Sequence, residues 1–129
     1  MFRRILVLLS LIGAATVAHA HAHLLGSSPG DKTRVAPPAA VELKFNEAVK
    51  LTALTLQRGK DKAQALKPLP ARANATLSVP LPALAAGEYV VEWRVAGDDG
   101  HIMSGKLAFT VDPAAEPAKQ EDKHDQHQH

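Results

Sequence analysis

Three histidines fall within six residues near the start of the chain, His19, His21 and His23 in the stretch AHAHAH. A fourth stands in DDGHIMSG, where one glycine separates Asp99 from His101. Imidazole nitrogens and carboxylate oxygens are metal donors, and the early histidines gain a further donor if the chain is cut beside them. A histidine that becomes residue one carries a free α-amine. Its ordinary pKa near 8 lets it give up a proton to a metal at neutral pH. That amine and the imidazole of the same residue then close a chelate ring. In extended backbone, residues i and i+2 point the same way about 7 Å apart, and a turn at Gly100 draws Asp99 and His101 closer. A carboxylate and an imidazole can therefore converge on one ion from a short piece of chain.

The segment before these histidines supplies the cut. Arg3 and Arg4 form a short positive region, residues 5–17 are almost wholly apolar, and small residues follow. That is the layout of a secretory signal peptide, and the run is shorter than the roughly 20 residues a membrane span needs. Ala18 and Ala20 satisfy the small-residue rule for release of a chain beginning at His21; Ala20 and Ala22 would release one beginning at His23. The first site follows the apolar run at the more usual distance, so residues 1–20 are expected to be the signal peptide and His21 the new amino terminus.

About 110 residues remain, enough for one domain. The formal charge of +2 is lost with Arg3 and Arg4, so the basic character belongs to the precursor and gives no argument for nucleic acid. There is no cysteine. An exported domain without disulfides must rest on its apolar core, and it offers metals no thiolate. Phosphate-cradling glycine loops and nucleophile-elbow serines are also missing from the sequence.

Alternation with a period of two dominates from Pro37 to Val111. AVELKFN puts Val41, Leu43 and Phe45 on one face, LTALTLQ gives Leu54 and Leu56, and ATLSVPL gives Leu77, Val79 and Leu81. GEYVVEWRVAG sets Tyr89, Val91, Trp93 and Val95 inward against Glu92 and Arg94, and GKLAFTV groups Leu107, Phe109 and Val111. Half-buried strands at short intervals predict an all-β antiparallel sandwich or barrel. Pro68, Pro70, Pro80 and Pro82 place the middle of the chain at a sheet edge, since proline cannot donate to a ladder. A short 3₁₀ turn is expected around Leu84 to Ala86. Residues 113–129 have almost no large apolar side chains and are expected to form a disordered tail. Its His124, His127 and His129 fit either a solvated tail or a loose, exchangeable metal trap.

The possible donors are thus nitrogen and oxygen. A terminal amine, two imidazoles and a carboxylate make a tetragonal set of the kind copper(II) prefers, and copper(II) heads the divalent affinity order. His23 adds an imidazole, takes the place of His21 if cleavage falls two residues later, or merely packs beside the site. Two other classes compete with a binding protein. One is a copper oxygenase braced by an amino-terminal histidine, disfavoured by the short chain and few aromatics. The other is a metal-free adhesion or scaffold module.

Over residues 21–111 the chain resembles the CopC family of periplasmic copper-binding proteins. The resemblance runs through HAHLLGSSPGD, VELKFNEAV and LAAGEYVVEWRVAGDDGHIMSGKLAFTV. The last is the most specific, with its Gly-x-Tyr-x-Val-x-Trp strand, Asp-Gly-His turn and Gly-x-x-x-Phe-x-Val strand. It implies a Greek-key β-barrel or sandwich related to the cupredoxin and immunoglobulin architectures. It implies a copper(II) site on His21, Asp99 and His101, and a non-enzymatic buffer or carrier in copper resistance or homeostasis. The implied partner is a CopD-like inner-membrane transporter. Some members of the family hold copper(I) in a methionine-rich loop. Residues 52–75 here contain no methionine and only Met103 outlasts signal removal, so no strong copper(I) site is expected.

Overall fold

The computed structural model describes residues 22–119 and the backbone of 121–122. The expected signal peptide, His21 and the tail histidines His124, His127 and His129 lie outside the described residues. Within them the chain is all-β: β1 (Leu24–Ser28), β2 (Thr33–Val35), β3 (Ala40–Arg58), β4 (Gln64–Ala65), β5 (Asn74–Pro80), β6 (Gly87–Ala96), β7 (Ile102–Val111) and β8 (Glu121–Asp122). The strands follow the order β2-β7-β6-β3-β1-β8, with β4 and β5 also paired to β3. The sheet curls on itself as a half-barrel, and the apolar faces of its two layers meet inside.

Strand β3 makes that curl. The two alternating runs AVELKFN and LTALTLQ are halves of one 19-residue strand. No proline or glycine interrupts residues 46–50, so the backbone continues instead of turning back. Its first half pairs with β1 and β5, and its second half with β6 and β4. Register shifts fall between Lys44 and Val49 and between Leu51 and Ala53, and the second rephases the alternation, with the buried positions odd up to Leu51 and even from Leu54. Such bulges bend a strand and strengthen its twist. In consequence Val41, Leu43 and Phe45 fill the core from one layer, and Leu54 and Leu56 from the other.

The hairpin of β6 and β7 is regular over ten residue pairs, from Gly87↔Val111 to Ala96↔Ile102. Tyr89, Val91, Trp93 and Val95 are buried, as their alternation requires, opposite Leu107, Phe109 and Val111. Trp93 meets Phe45 edge to face at 5.3 Å. The indole also lies where a side chain of Gly105 would stand: a Cβ there would come within 2.3 Å of Trp93 Cζ2. No 3₁₀ turn forms at Leu84–Ala86. Tyr89 instead pins that approach as extended coil, its hydroxyl donating to the Ala85 carbonyl at 2.7 Å, in the manner of a tyrosine corner.

Two edges carry more chain than alternation suggested. The three-residue β2, too short to show a period, runs parallel to β7. Residues 113–119, which composition assigns to the tail, fold back instead. The Ala36 amide donates to the Glu116 carbonyl at 2.9 Å, and Ala118 packs against the core. The reason is backbone valence: strand edges present amides and carbonyls that any passing chain can satisfy, whatever its side chains.

Candidate metal centre

Asp99 and His101 sit in the turn that joins β6 to β7. The turn closes by two backbone bonds, Gly97 N–H to the His101 carbonyl at 2.9 Å and Gly100 N–H to the Gly97 carbonyl at 3.0 Å. Gly100 adopts φ +83°, a conformation that side-chain-bearing residues rarely take. This geometry folds the two functional side chains together. Asp99 Oδ2 lies 2.5 Å from His101 Nδ1, and Asp99 Oδ1 accepts from the His101 amide at 3.1 Å.

Both groups face solvent, the His101 side chain being 67% exposed. The ring and amide hydrogen bonds from His101 hold the Asp99 carboxyl below the ordinary carboxylate range. It is therefore an anion at every pH at which an imidazole can bind metal. A cation arriving here meets a preformed nitrogen and oxygen in contact, which now share a proton. Beside the turn runs an open groove lined by Glu47, Lys50, Gly97 and Asp98. It links the hairpin end to the segment of β3 that crosses between layers.

The amino-terminal arm reaches the same crossing from the other layer. Leu24 is in register with Phe45, where the ladder ends, and one step earlier His23 is bonded to Asn46. The Asn46 amide donates to the His23 carbonyl at 3.1 Å, and the His23 amide donates to Asn46 Oδ1 at 2.6 Å. Residue 22, a step nearer the terminus, is a core residue: Ala22 is 5% exposed. Four steps of β3 lead from Asn46 to Lys50, about 13 Å at most by strand rise, and Lys50 is paired across the sheet with Ala96, the last residue before the turn.

The structure thus brings Asp99 and His101 together as expected and sets His23, exposed, at the start of β1. Among the described residues no group of three or more histidine, aspartate or glutamate side chains gathers into a cage. Sequence reasoning overlooked Asn46. Its signal was faint, a polar residue just where the alternation of AVELKF stops.

The CopC domain family matches residues 24–112, from the first residue of β1 to just past β7. The chain belongs to the CopC family. A relative, copper resistance protein C of Xanthomonas campestris pv. juglandis, is 32% identical over 76% of this chain and 85% of its own length. The crystal structure of CopC from Methylosinus trichosporium OB3b superposes with a TM-score of 0.64 at 36% identity. That match covers 74% of this chain and 98% of the other. PcoC, a methionine-rich copper resistance protein from Escherichia coli, superposes at 0.56 with 30% identity over 72% of this chain and all of its own. As a CopC protein, this chain departs from PcoC in a visible way: it has only Met1 and Met103.

Proposed function

We propose that this CopC protein is a periplasmic copper(II) buffer or carrier, with His21, Asp99 and His101 as donors and His23 as an additional one. The observation that carries the reading is the Asp99–His101 pair, a carboxylate and an imidazole 2.5 Å apart on an exposed turn. The names of its relatives, copper resistance proteins, support the choice of metal. The proposed donor set is nitrogen and oxygen, which suits copper(II) and not the softer copper(I), and Met103, two residues after His101, packs against the core. The ion is cargo, and no reaction is assigned to the protein. Its recipient is a CopD-like transporter of the inner membrane.

Export matters to this reading because it makes the third side of the site. Residues 1–20 are removed as a signal peptide, 21–112 form the copper-binding domain, and His21 becomes residue one. The buried Ala22 favours this cut over the one after it, since release at His23 would strip a side chain from the core. The His21 amine and imidazole then stand one residue ahead of a fixed point.

Mass spectrometry of the exported protein, followed by copper(II) titration with electron paramagnetic resonance, tests the whole. The expected result is a chain starting at His21 that binds one copper(II) tightly in a tetragonal field with at least three nitrogens. A folded protein that begins with another residue type, or ignores copper(II), overturns the proposal.

A further inference from the structure

We propose that Asn46 is the positioning residue of the metal centre, its side chain accepting from the His23 amide at the end of the β1–β3 ladder to set the amino-terminal donor in place. The inference rests on the copper(II) reading above, but its footing is the local geometry of two strands.

An antiparallel pair of directly opposed, hydrogen-bonded residues exchanges two bonds, each amide donating to the other's carbonyl. Opposite residues His23 and Asn46 make the first of these, Asn46 N–H to the His23 carbonyl at 3.1 Å. The His23 amide donates to the Asn46 side-chain Oδ1 at 2.6 Å. The pairing of β3 with β1 ends at Phe45, and residues 46–48 are already crossing to the other layer. A side-chain amide supplies the acceptor at the place where the strand departs.

The anchor itself is rigid. Phe45, next in the chain, is 2% exposed and held edge to face against Trp93. On the other partner, Ala22 is tucked into the core beside the clasped residue. Two consecutive residues of the arm are thereby fixed, one by packing and one by two hydrogen bonds. The residue that carries the terminal amine is bonded directly to this fixed frame, and holding the frame lowers the freedom lost when the amine takes a metal. That is preorganisation of a donor by a residue that does not touch the ion.

The test uses the exported chain with three versions of residue 46: wild type, Asn46→Ala and Asn46→Asp. Copper(II) affinity is read by chelator competition, and exchange of the His23 amide is read in the metal-free protein. The alanine variant is expected to fold, to lose protection at the His23 amide, and to bind copper(II) about 10- to 100-fold more weakly, the loss typical of an outer-shell partner. The aspartate keeps an acceptor in the same place, so protection returns and affinity comes back to within about threefold of wild type or better.

Wild-type affinity in the alanine variant overturns the proposal. So does an aspartate variant that regains protection but binds as weakly as alanine. Should the alanine variant fail to fold, the wild type still decides: an unprotected His23 amide overturns the clasp. A wild-type protein that ignores copper(II) overturns the function proposed above, whereas a copper-binding wild type matched by Asn46→Ala overturns only the role of Asn46.

Discussion

The two halves of the proposed centre are built by opposite means. The hairpin half is local: Asp99, Gly100 and His101 are consecutive, and the turn that joins two long strands presents them wherever the hairpin goes. The amino-terminal half is long-range. His23 is fixed by Asn46, 23 positions away, and Ala22 by a core that both layers assemble. The lesson is that the hairpin donors depend on one turn, while the terminal donor depends on the fold being closed. Disturbing each half separately should give different signatures.

The largest effects come from removing donors. An Asp99→Ala, His101→Ala double variant should lose copper(II) affinity by well over 100-fold, since even outer-shell changes cost about 10- to 100-fold. Its melting temperature should stay close to wild type, because both side chains are exposed. One residue added before His21 should cost as much from the opposite side, with the hairpin untouched. Competition titrations of the two proteins check this; near-wild-type affinity in either removes that half from the site.

Acidification ranks next. Metal binding requires unprotonated amine and imidazole, so affinity should fall by up to about tenfold per pH unit for each nitrogen that must lose a proton. The carboxylate works in the other window. With its folded pKa held below the unfolded value, the Asp99 pair supports the turn fully above the ordinary carboxylate range. It fails only as pH drops through that lowered value. A decline between pH 7 and pH 5 therefore reports the nitrogens. In the extended-terminus protein the decline should be shallower, with one competing amine gone. An equal slope in both proteins would mean the amine takes no part.

The same contrast governs what the sequence disclosed. Alternation named the inward residues of β6 and β7 correctly because a hairpin with a short turn has no room for surprises. Asp99 and His101 were legible for the same reason: an i, i+2 pair across a glycine carries its geometry with it. The continuity of β3 was not legible. Periodicity marks strands but is silent on whether two phases belong to one bent strand, and the bulges that rephase it carry no glycine signal. Asn46 was invisible because its use depends on where β3 parts from β1, a property of two distant segments. Residues 113–119 were misassigned because composition counts side chains, whereas their bonds are made by backbone.

Gly100 sharpens the hairpin side by an intermediate amount. Its φ of +83° sits in open space, with nothing within 4 Å of an added Cβ. Gly100→Ala therefore tests backbone strain alone, at about 1–2 kcal/mol. The turn can relax by parting Asp99 from His101, and that relaxation must be undone to bind metal. Affinity should fall by about three- to tenfold. The metal-free protein should melt several degrees lower, on the scale of about 4–8 °C per kcal/mol for a domain of this size. Copper titration and calorimetry measure both. Unchanged affinity with a lowered melting point would show that the two side chains find each other without the glycine.

The smallest effect is expected from the tail histidines. Strand β8 lies antiparallel to β1, with Glu121 opposite Ser27 and Asp122 opposite Gly26. The chain thus leaves Asp122 heading toward the end of β1 where the amino-terminal arm begins. His124, His127 and His129 follow within seven residues. Histidine tracts among small polar residues capture metal loosely, so the gain expected from these imidazoles is nearness. Nearness raises the rate of capture more than the depth of the final site. Truncation after Asp122 should therefore leave equilibrium copper(II) affinity within about threefold of the full chain while slowing uptake from dilute metal. Stopped-flow quenching of Trp93 against equilibrium competition separates these quantities. An affinity loss comparable to that of the hairpin variant would move the tail histidines into the site itself.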